Sequence, residues 1–160
     1  MTTVESTDPR ENAVTEDNRY SVSVAGVIVD DEGRALIIQR RDNGHWEPPG
    51  GILEHGETIE DGLRREVYEE TGVTVEPIRL SGVYQNMERQ IVALVFRCRL
   101  AEGTPEPTPE SADCRWVDAD ELRRLMAEAY AVRVLDALDP EPRTVRTRAH
   151  DGQRLLTPAS

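Results

Sequence analysis

The sequence contains no lysine, only two cysteines and no long hydrophobic run. Cys98 and Cys114 have neither the spacing of a metal-binding pair nor that of a redox motif, which argues against cysteine-based chemistry. A membrane span needs about 20 consecutive apolar residues, and no stretch approaches that length, so we expect no membrane partner. With lysine absent, all 19 basic residues are arginine.

Acidic residues dominate the charge, and the formal net charge is −12. Binding to a nucleic-acid backbone requires a cationic surface, so we expect no nucleic-acid partner. Small phosphate-bearing substrates remain compatible, because divalent cations can lie between acidic side chains and phosphate. The first residues, Met1–Glu5, lack the basic start and apolar stretch of a secretory signal, and we expect a cytoplasmic protein.

A chain of 160 residues is long enough for one domain with a hydrophobic core. Residues 1–19 are polar and are predicted to form a disordered arm, because they bury too little surface to offset the entropy of ordering. Residues 20–139 carry the predicted domain. Residues 140–160 are predicted to form a flexible, arginine-containing tail, with folding over a site or a partner as the alternative.

Strand-like and helical patterns alternate within the domain. The runs Val22–Val29 and Ala35–Ile38 flank an acidic glycine turn, which predicts a β-hairpin. The order of the elements indicates a mixed sheet between helices, in the α/β class. The apolar faces around Leu125 and Leu135 pack either on this sheet or on a second subunit, so a homodimer is one expectation. Further predicted elements are a loop at 42–58, a helix from Thr58 to about Glu70 that ends at Gly72, strands at 73–83, 91–100 and 115–117, and helices from Asp118 and at 132–138.

The helix that begins at Thr58 carries acidic residues on its apolar side. At about 100° per residue, Ile59, Leu63 and Val67 form one apolar stripe. Relative to Ile59, Glu66 lies at about −20°, Glu70 at about +20° and Glu69 at about −80°. Burying several like charges together is very costly unless something compensates them.

Two interpretations of these glutamates are possible from the residues alone. One is a charged surface helix whose glutamates and arginines pair four positions apart. The other is a site for Mg²⁺, which prefers carboxylate oxygen and shares its coordination shell with phosphate and water. The angular positions favour the second interpretation.

The segment that contains this helix resembles the signature of the Nudix hydrolase family, G-x5-E-x7-R-E-U-x-E-E-x-G-U, in which U is a bulky aliphatic residue. The surrounding segments are also similar to that family, so the resemblance spans about 21–138. All nine constrained positions are met, by Gly51, Glu57, Arg65, Glu66, Val67, Glu69, Glu70, Gly72 and Val73.

The resemblance implies an α/β/α sandwich around a mixed sheet and cleavage of a nucleoside diphosphate linked to another moiety X. The cofactor it implies is Mg²⁺, with Mn²⁺ as a substitute. One further glutamate outside the signature, Glu110, is our candidate for an additional base or ligand, and its alternative is an ordinary loop acid. The implied metal ligands are Glu66, Glu69, Glu70 and the carbonyl of Gly50; Glu57 and Arg65 would orient them, and either Glu66 or Glu70 would act as the base.

Substrate contacts are predicted from residue type. Trp46 and Tyr84 are candidates to stack on a base or ribose, with burial in the core as the alternative. Four arginines could contact phosphate or face solvent, and solvent is favoured for each: Arg40, Arg41, Arg79 and Arg89. Arg40 is the one that we take as a candidate substrate contact.

The expected activity is Mg²⁺-dependent hydrolysis of a nucleoside triphosphate or related small nucleotide. One rival is a non-catalytic Nudix-like domain that senses a nucleotide metabolite. The other is a purely structural helix whose sequence matches the signature by coincidence.

Overall fold

Strands and helices alternate along residues 18–141 and 144–156, the part of the chain that the computed structural model describes. The predicted disordered arm, residues 1–19, lies outside these residues except for its last two positions. The helices are α1 (Ile59–Thr71), α2 (Ala119–Leu125) and α3 (Glu128–Leu138). The strands are β1 (Ser21–Ile28), β2 (Ala35–Arg40), β3 (Trp46–Glu47), β4 (Gly50–Ile52), β5 (Thr74–Asn86), β6 (Ile91–Glu102), β7 (Ser111–Val117), β8 (Arg146–His150) and β9 (Leu155–Leu156).

The larger sheet of the described region has the strand order β4-β1-β6-β5-β8-β9. The pairs β1–β6 and β5–β8 are parallel, whereas β1–β4, β5–β6 and β8–β9 are antiparallel. A smaller antiparallel sheet has the order β3-β2-β7. The prediction of a mixed sheet is therefore confirmed.

Hydrophobic clusters cover both faces of the larger sheet. Because successive side chains of a strand point to opposite faces, Val24 and Ile28 of β1 pack with α1, whereas Ala25 and Val27 pack with α2 and α3. Each cluster buries one side of the sheet beneath helices. This arrangement confirms the predicted α/β/α sandwich.

The predicted hairpin between the first two strands is wrong. β1 pairs with β4 and β6, β2 pairs with β3 and β7, and a single bridge between Val29 and Ala35 connects them. Both strands are buried on both faces, since Val24–Ile28 and Ala35–Ile38 are all buried. Strands of this kind lie inside sheets with a neighbour on each side, and each takes its neighbours from elsewhere in the chain.

The helix containing the acidic residues begins and ends where its sequence predicts. The Thr58 side chain accepts a hydrogen bond from the backbone N–H of Asp61, and Gly72 adopts the left-handed conformation, with φ of 77°, that ends the helix. α2 begins in the same way, because the side chain of Asp118 accepts from the N–H of Glu121. None of the helices in the described region is long and apolar enough to span a bilayer.

The predicted flexible tail requires correction, because part of it is a strand of the larger sheet. β8 pairs in parallel with β5, and the N–H of Ala129 donates to the carbonyl of Gln153. The arginines of this segment are paired: Arg146 with Asp139 at 2.7 Å and Arg148 with Asp136 at 2.7 Å. Polar composition indicated disorder, but backbone pairing and ion pairs order this segment without a large apolar surface.

The apolar residues for which a second subunit was one predicted partner lie against the core of their own chain. Leu125 and Leu135 are partly buried and pack against the cluster that α2 and α3 form with the sheet. Of the two predicted partners, the sheet and a second subunit, these contacts are with the core that includes the sheet.

Candidate functional site

α1 directs two glutamates toward the protein interior. Leu63 and Val67 are fully buried in the core beneath the helix, and Glu66 and Glu70 are each only 9% exposed. Glu69 lies on the exposed side of the same helix. The angular prediction therefore holds for the two residues placed nearest the apolar stripe.

Glu70 is a buried carboxylate with a single backbone donor. Its Oε2 accepts a hydrogen bond from the N–H of Gly50 at 3.1 Å. Burial raises the pKa of Glu70 to about 8, and the nearby carboxylates of Glu66, Glu47 and Glu110 add to the rise. A cation beside this carboxylate would favour its charged form.

Three further carboxylates converge next to Glu70. One oxygen from each of Glu66, Glu69 and Glu110 can be chosen so that all three lie within 4.8 Å of one another. Burial raises the pKa of Glu66, and Glu69 and Glu110 add to the rise while Arg65 opposes it. The structure thus brings the predicted outside residue, Glu110, to two residues of the helix.

Glu110 reaches this position because the loop before β7 is attached to the end of α1. The hydroxyl of Ser111 donates to the backbone carbonyl of Glu70 at 2.5 Å. The hydroxyl of Thr108 accepts from the N–H groups of Glu110 and Ser111 at 3.1 and 3.2 Å. These contacts fix the loop over the acidic face of the helix.

Arg65 connects the acidic residues to one another. Its guanidinium donates to Glu57 at 2.8 and 3.0 Å, to Glu66 at 2.9 Å and to Glu69 at 3.2 Å. Glu57 also accepts from the N–H of Glu54 at 2.8 Å. The Arg65 hydrogen bond, with that from Glu54, lowers the pKa of Glu57 to about 2, so this carboxylate stays charged. The predicted orienting roles of Glu57 and Arg65 fit these contacts.

Gly51 leaves room for the carboxylate of Glu66. A Cβ atom built at Gly51 would lie 2.5 Å from the carboxylate carbon of Glu66, closer than real Cβ atoms approach. The neighbouring Gly50 lies against the backbone of Val24 and Ala25 in β1, where a Cβ would clash as well. Gly51 therefore allows β4 to pass directly beside Glu66, and Gly50 allows β4 to lie close to β1.

The donor set suits a hard divalent cation. Within the described residues, one carboxylate oxygen from each of Glu66, Glu69 and Glu110 lies within 4.8 Å of the other two, and Arg65 donates hydrogen bonds to Glu66 and Glu69. Glu70 lies close enough for Glu66 and Glu110 to raise its pKa. Carboxylate oxygens are the ligands that Mg²⁺ prefers. The carboxylates in this group outnumber the positive side chains that contact them, and a bound divalent cation would offset the excess negative charge.

A cavity of about 280 Å³ adjoins the acidic residues. Gly50 and Gly51 line it, and these are the residues that contact Glu70 and Glu66. The cavity wall also contains Arg40, as the sequence predicted for a substrate contact. Arg40 pairs with Asp42 at 2.6 Å and with Glu47 at 3.3 Å, so its guanidinium is only partly available. Other residues that line the cavity include Glu47, Asn86, Arg89, Tyr130 and Arg133.

Trp46 lines a neighbouring cavity of about 230 Å³ together with Tyr130 and Leu125. The guanidinium of Arg115 lies over its ring, 4.8 Å from the centroid. The ring also packs against the core, which is one of the two roles that the sequence allowed. Stacking of Trp46 on a substrate stays a prediction.

The prediction that Tyr84 stacks on the substrate is wrong. Tyr84 is 0% exposed, and its hydroxyl donates to Oδ2 of Asp136 at 2.7 Å. A Cβ atom at Gly82 would clash with the Tyr84 ring, so the strand leaves space for the ring next to α3. An aromatic residue in a strand is compatible with a core position and with a binding site. The hydrogen bond to Asp136 on α3 shows that Tyr84 has the core position, and the sequence does not reveal that contact.

We expect Tyr84→Phe to lower the free energy of unfolding by about 1–2 kcal/mol, because a buried hydrogen bond is lost while Asp136 keeps its pair with Arg148. Catalytic activity should stay near the wild-type value. Chemical denaturation and a rate assay measure the two effects. Tyr68→Phe is the matched control, since Tyr68 is 60% exposed and its loss of a hydroxyl should change stability little.

Arg133 is a further functional candidate, and it is absent from the site residues predicted from the sequence. This residue is only 7% exposed and lines the cavity beside the acids. The pattern that indicates its burial is the helical spacing that also identified Glu66. Ala129 and Ala137 lie four positions before and after Arg133 and are buried, so Arg133 lies on the buried face of the helix.

Known proteins provide a comparison with this arrangement. The model of the NUDIX domain family matches residues 19–138. A "MutT-like protein" of Streptomyces ambofaciens is 53% identical over 137 residues, which cover 86% of this chain and 88% of that protein. An "ADP-ribose pyrophosphatase" of Methanocaldococcus jannaschii is 31% identical over 112 residues, covering 66% of each. A solved ADP-ribose pyrophosphatase structure from Streptococcus suis has a TM-score of 0.70 at 22% identity, covers 82% of this chain and 100% of that one, and is similar in fold.

Proposed function

The chain belongs to the Nudix family, and from this we propose that it is a Mg²⁺-dependent hydrolase of a nucleoside diphosphate linked to another group. The bond broken is a phosphoric anhydride within the diphosphate. Nucleoside triphosphates and related nucleotides are the proposed substrate class. The M. jannaschii relative adds ADP-ribose to the compounds worth testing.

One observation carries the proposal. Glu66, Glu69 and Glu110 converge within 4.8 Å beside Glu70, and the cavity opens at the two glycines that contact these acids. A substrate in the cavity would therefore place its diphosphate next to the acidic residues. Purely structural surface acids do not require this arrangement.

The proposed reaction requires residues that bind the metal ion and residues that orient those ligands. When bound, Mg²⁺ neutralises charge on the phosphoryl oxygens and makes a water molecule nucleophilic at neutral pH. Glu66, Glu69 and Glu110 would hold the ion, with Glu70 and the carbonyl of Gly50 as additional ligands. Arg65 orients Glu66 and Glu69 through its hydrogen bonds, and Glu57 in turn fixes Arg65.

The proton of the attacking water needs an acceptor. Glu70 and Glu66 are the two candidates, because both are nearly buried and lie between the helix and β4. A carboxylate in that position accepts a proton when it is within hydrogen-bond reach of the water. Loss of the base lowers kcat, whereas loss of a ligand also weakens metal binding.

The proposed activity requires a divalent cation. We expect metal-free protein to hydrolyse a nucleotide from a panel of nucleoside triphosphates, nucleotide sugars, ADP-ribose and dinucleoside polyphosphates once Mg²⁺ is added. Excess EDTA should return the rate to background, because the acids alone neutralise no phosphoryl charge. Chromatography of the products identifies the bond that is cut.

Two results would contradict this proposal. Tight binding of a nucleotide without turnover, in either Mg²⁺ or Mn²⁺, would support the sensor alternative. Absence of any divalent-metal binding by calorimetry at millimolar concentrations would support a purely structural helix.

A further inference from the structure

Arg133 presents a buried positive charge to the cavity. It is 7% exposed, and within the described region no carboxylate lies within ion-pair distance of it. Its Nε atom is buried without a hydrogen-bond partner in that region. A guanidinium remains charged even where burial lowers its pKa, as it does here. Glu47 attracts this guanidinium from beyond ion-pair distance. Burial of a charge without a direct ion-pair partner is unfavourable, and a bound anion would offset that cost.

Among the residues that the structure describes, the side chain of Arg133 has His150 as its hydrogen-bond partner, and His150 also contacts Gly152. Nε2 of His150 lies 3.0 Å from Nη2 of Arg133, and Nδ1 of His150 accepts from the N–H of Gly152 at 3.0 Å. A neutral imidazole accepts at one nitrogen and donates at the other. Burial and Arg133 lower the pKa of His150 to about 4, so the ring is neutral and both of its nitrogens face donors. His150 therefore cannot satisfy Arg133 and Gly152 together.

Aromatic rings hold the guanidinium in place. Its carbon lies 4.7 Å from the centroid of Tyr130 and 5.5 Å from that of Tyr84. Such contacts stabilise a cation partly, but they leave its N–H groups without acceptors. Arg133 is thus pre-oriented and still able to bind an acceptor.

The cavity is positively charged although the protein is acidic. Arg40, Arg89 and Arg133 line it, and Glu47 is the acidic residue among the lining residues. Glu47 pairs with Arg40 and also attracts Arg133 from beyond ion-pair distance, so it offsets part of this positive charge. No ion pair of Arg89 occurs in the described region. Two guanidinium groups without carboxylate partners therefore face one cavity, which matches the charge of a phosphate group.

We propose that this cavity binds a phosphate group of the substrate that is separate from the phosphoryl groups held at the acidic residues, with Arg133 as the main contact. The planar guanidinium offers parallel N–H donors that match phosphate oxygens. The preferred substrates are accordingly nucleotides with an additional phosphate group beyond the one beside the cleaved bond. The substrate assignment rests on the proposed function, whereas phosphate binding itself does not.

A phosphate-binding experiment tests the cavity independently of the proposed hydrolase activity. Protein freed of divalent cations on a chelating resin is titrated with inorganic phosphate at low ionic strength, and binding is followed by calorimetry. We expect one phosphate per chain, with binding at least about tenfold weaker in Arg133→Met and about threefold weaker in Arg89→Gln. Acetate should bind more weakly than phosphate, because it carries one charge.

Arg123→Gln is the matched control, since Arg123 is exposed on α2 and, among the described residues, has its ion pair with Asp120. It should bind phosphate as the wild type does. If Arg133→Met fails to fold, judged by its thermal melt, Arg89→Gln decides the result. No phosphate binding by the wild type, equal binding in all variants, or equal affinity for acetate would each overturn the inference.

Kinetics provide a second test. With a substrate found in the hydrolysis screen, Arg133→Met should raise KM at least about tenfold and change kcat less than about threefold, because the residue binds away from the bond that is cut. A loss confined to kcat would contradict the assignment. Should no compound be hydrolysed, the proposed function fails while the phosphate titration still tests the cavity.

Discussion

Glu70→Gln is expected to lower kcat at least about 100-fold with any substrate that the wild type hydrolyses. The substitution keeps the size of the side chain and removes its negative charge. The amide oxygen of the glutamine side chain can still accept the hydrogen bond from the N–H of Gly50, so the fold should be preserved. Glutamine neither takes up a proton from water nor contributes charge to a metal site. Steady-state rates at saturating Mg²⁺ measure this loss.

Metal titration then distinguishes the two roles open to Glu70. If it acts as the base, the Mg²⁺ concentration for half-maximal rate stays near the wild-type value; if it is a ligand, that concentration rises as well. Glu60→Gln is the matched control, because Glu60 is exposed in the first turn of the same helix and its ion pair, within the described part of the chain, is with Arg64. Wild-type rates in Glu70→Gln would defeat the assignment of this residue to the site.

Gly51→Ala is expected to lower kcat/KM about 10- to 100-fold while changing the thermal midpoint little. The added methyl group would overlap the carboxylate of Glu66, whose carbon lies 2.5 Å from the Cβ position. The nearest atoms are the end of a flexible side chain, so the carboxylate can move aside at small cost to stability. Its displacement removes it from Glu69 and Glu110 and should weaken Mg²⁺ activation.

A double substitution tests this explanation. In a Glu66→Ala background, where the overlapping atoms are absent, adding Gly51→Ala should cause no further loss of activity. Two mutations that act through one contact are non-additive in this way. If the two losses multiply instead, Gly51 acts through something other than Glu66.

Local patterns predicted the acidic face of α1 correctly. The spacing of Leu63 and Val67 determines which side of the helix is buried, and Glu66 and Glu70 follow from the same periodicity. The caps at Thr58 and Gly72 are also local, because each depends on residues within one helical turn. The same reasoning applied to Ala129, Arg133 and Ala137 would have identified the buried arginine.

Long-range pairing was predicted less well. The first two strands have the pattern of a hairpin, yet each finds neighbours far away in the chain. β8 lies in the arginine-containing segment that the sequence predicts to be a flexible tail, although its backbone pairs with β5 and its arginines pair with acids of and just after α3. Strand composition indicates that a segment can join a sheet, but it does not select the neighbour.

The sequence by itself determined the family signature, the helix that carries most of it, and the inward direction of Glu66 and Glu70. The signature is a contiguous segment, 51–73, and can be read directly. The helix and the direction of its glutamates depend on residues one or two helical turns apart, whose relative positions follow from helix geometry. Only the tertiary structure brought Glu110 to Glu66, buried Tyr84 against Asp136 and placed Arg133 in the cavity beside Gly50 and Gly51. Those contacts join residues separated by tens of positions, and the packing of the whole sheet and its helices decides which of many compatible partners meet.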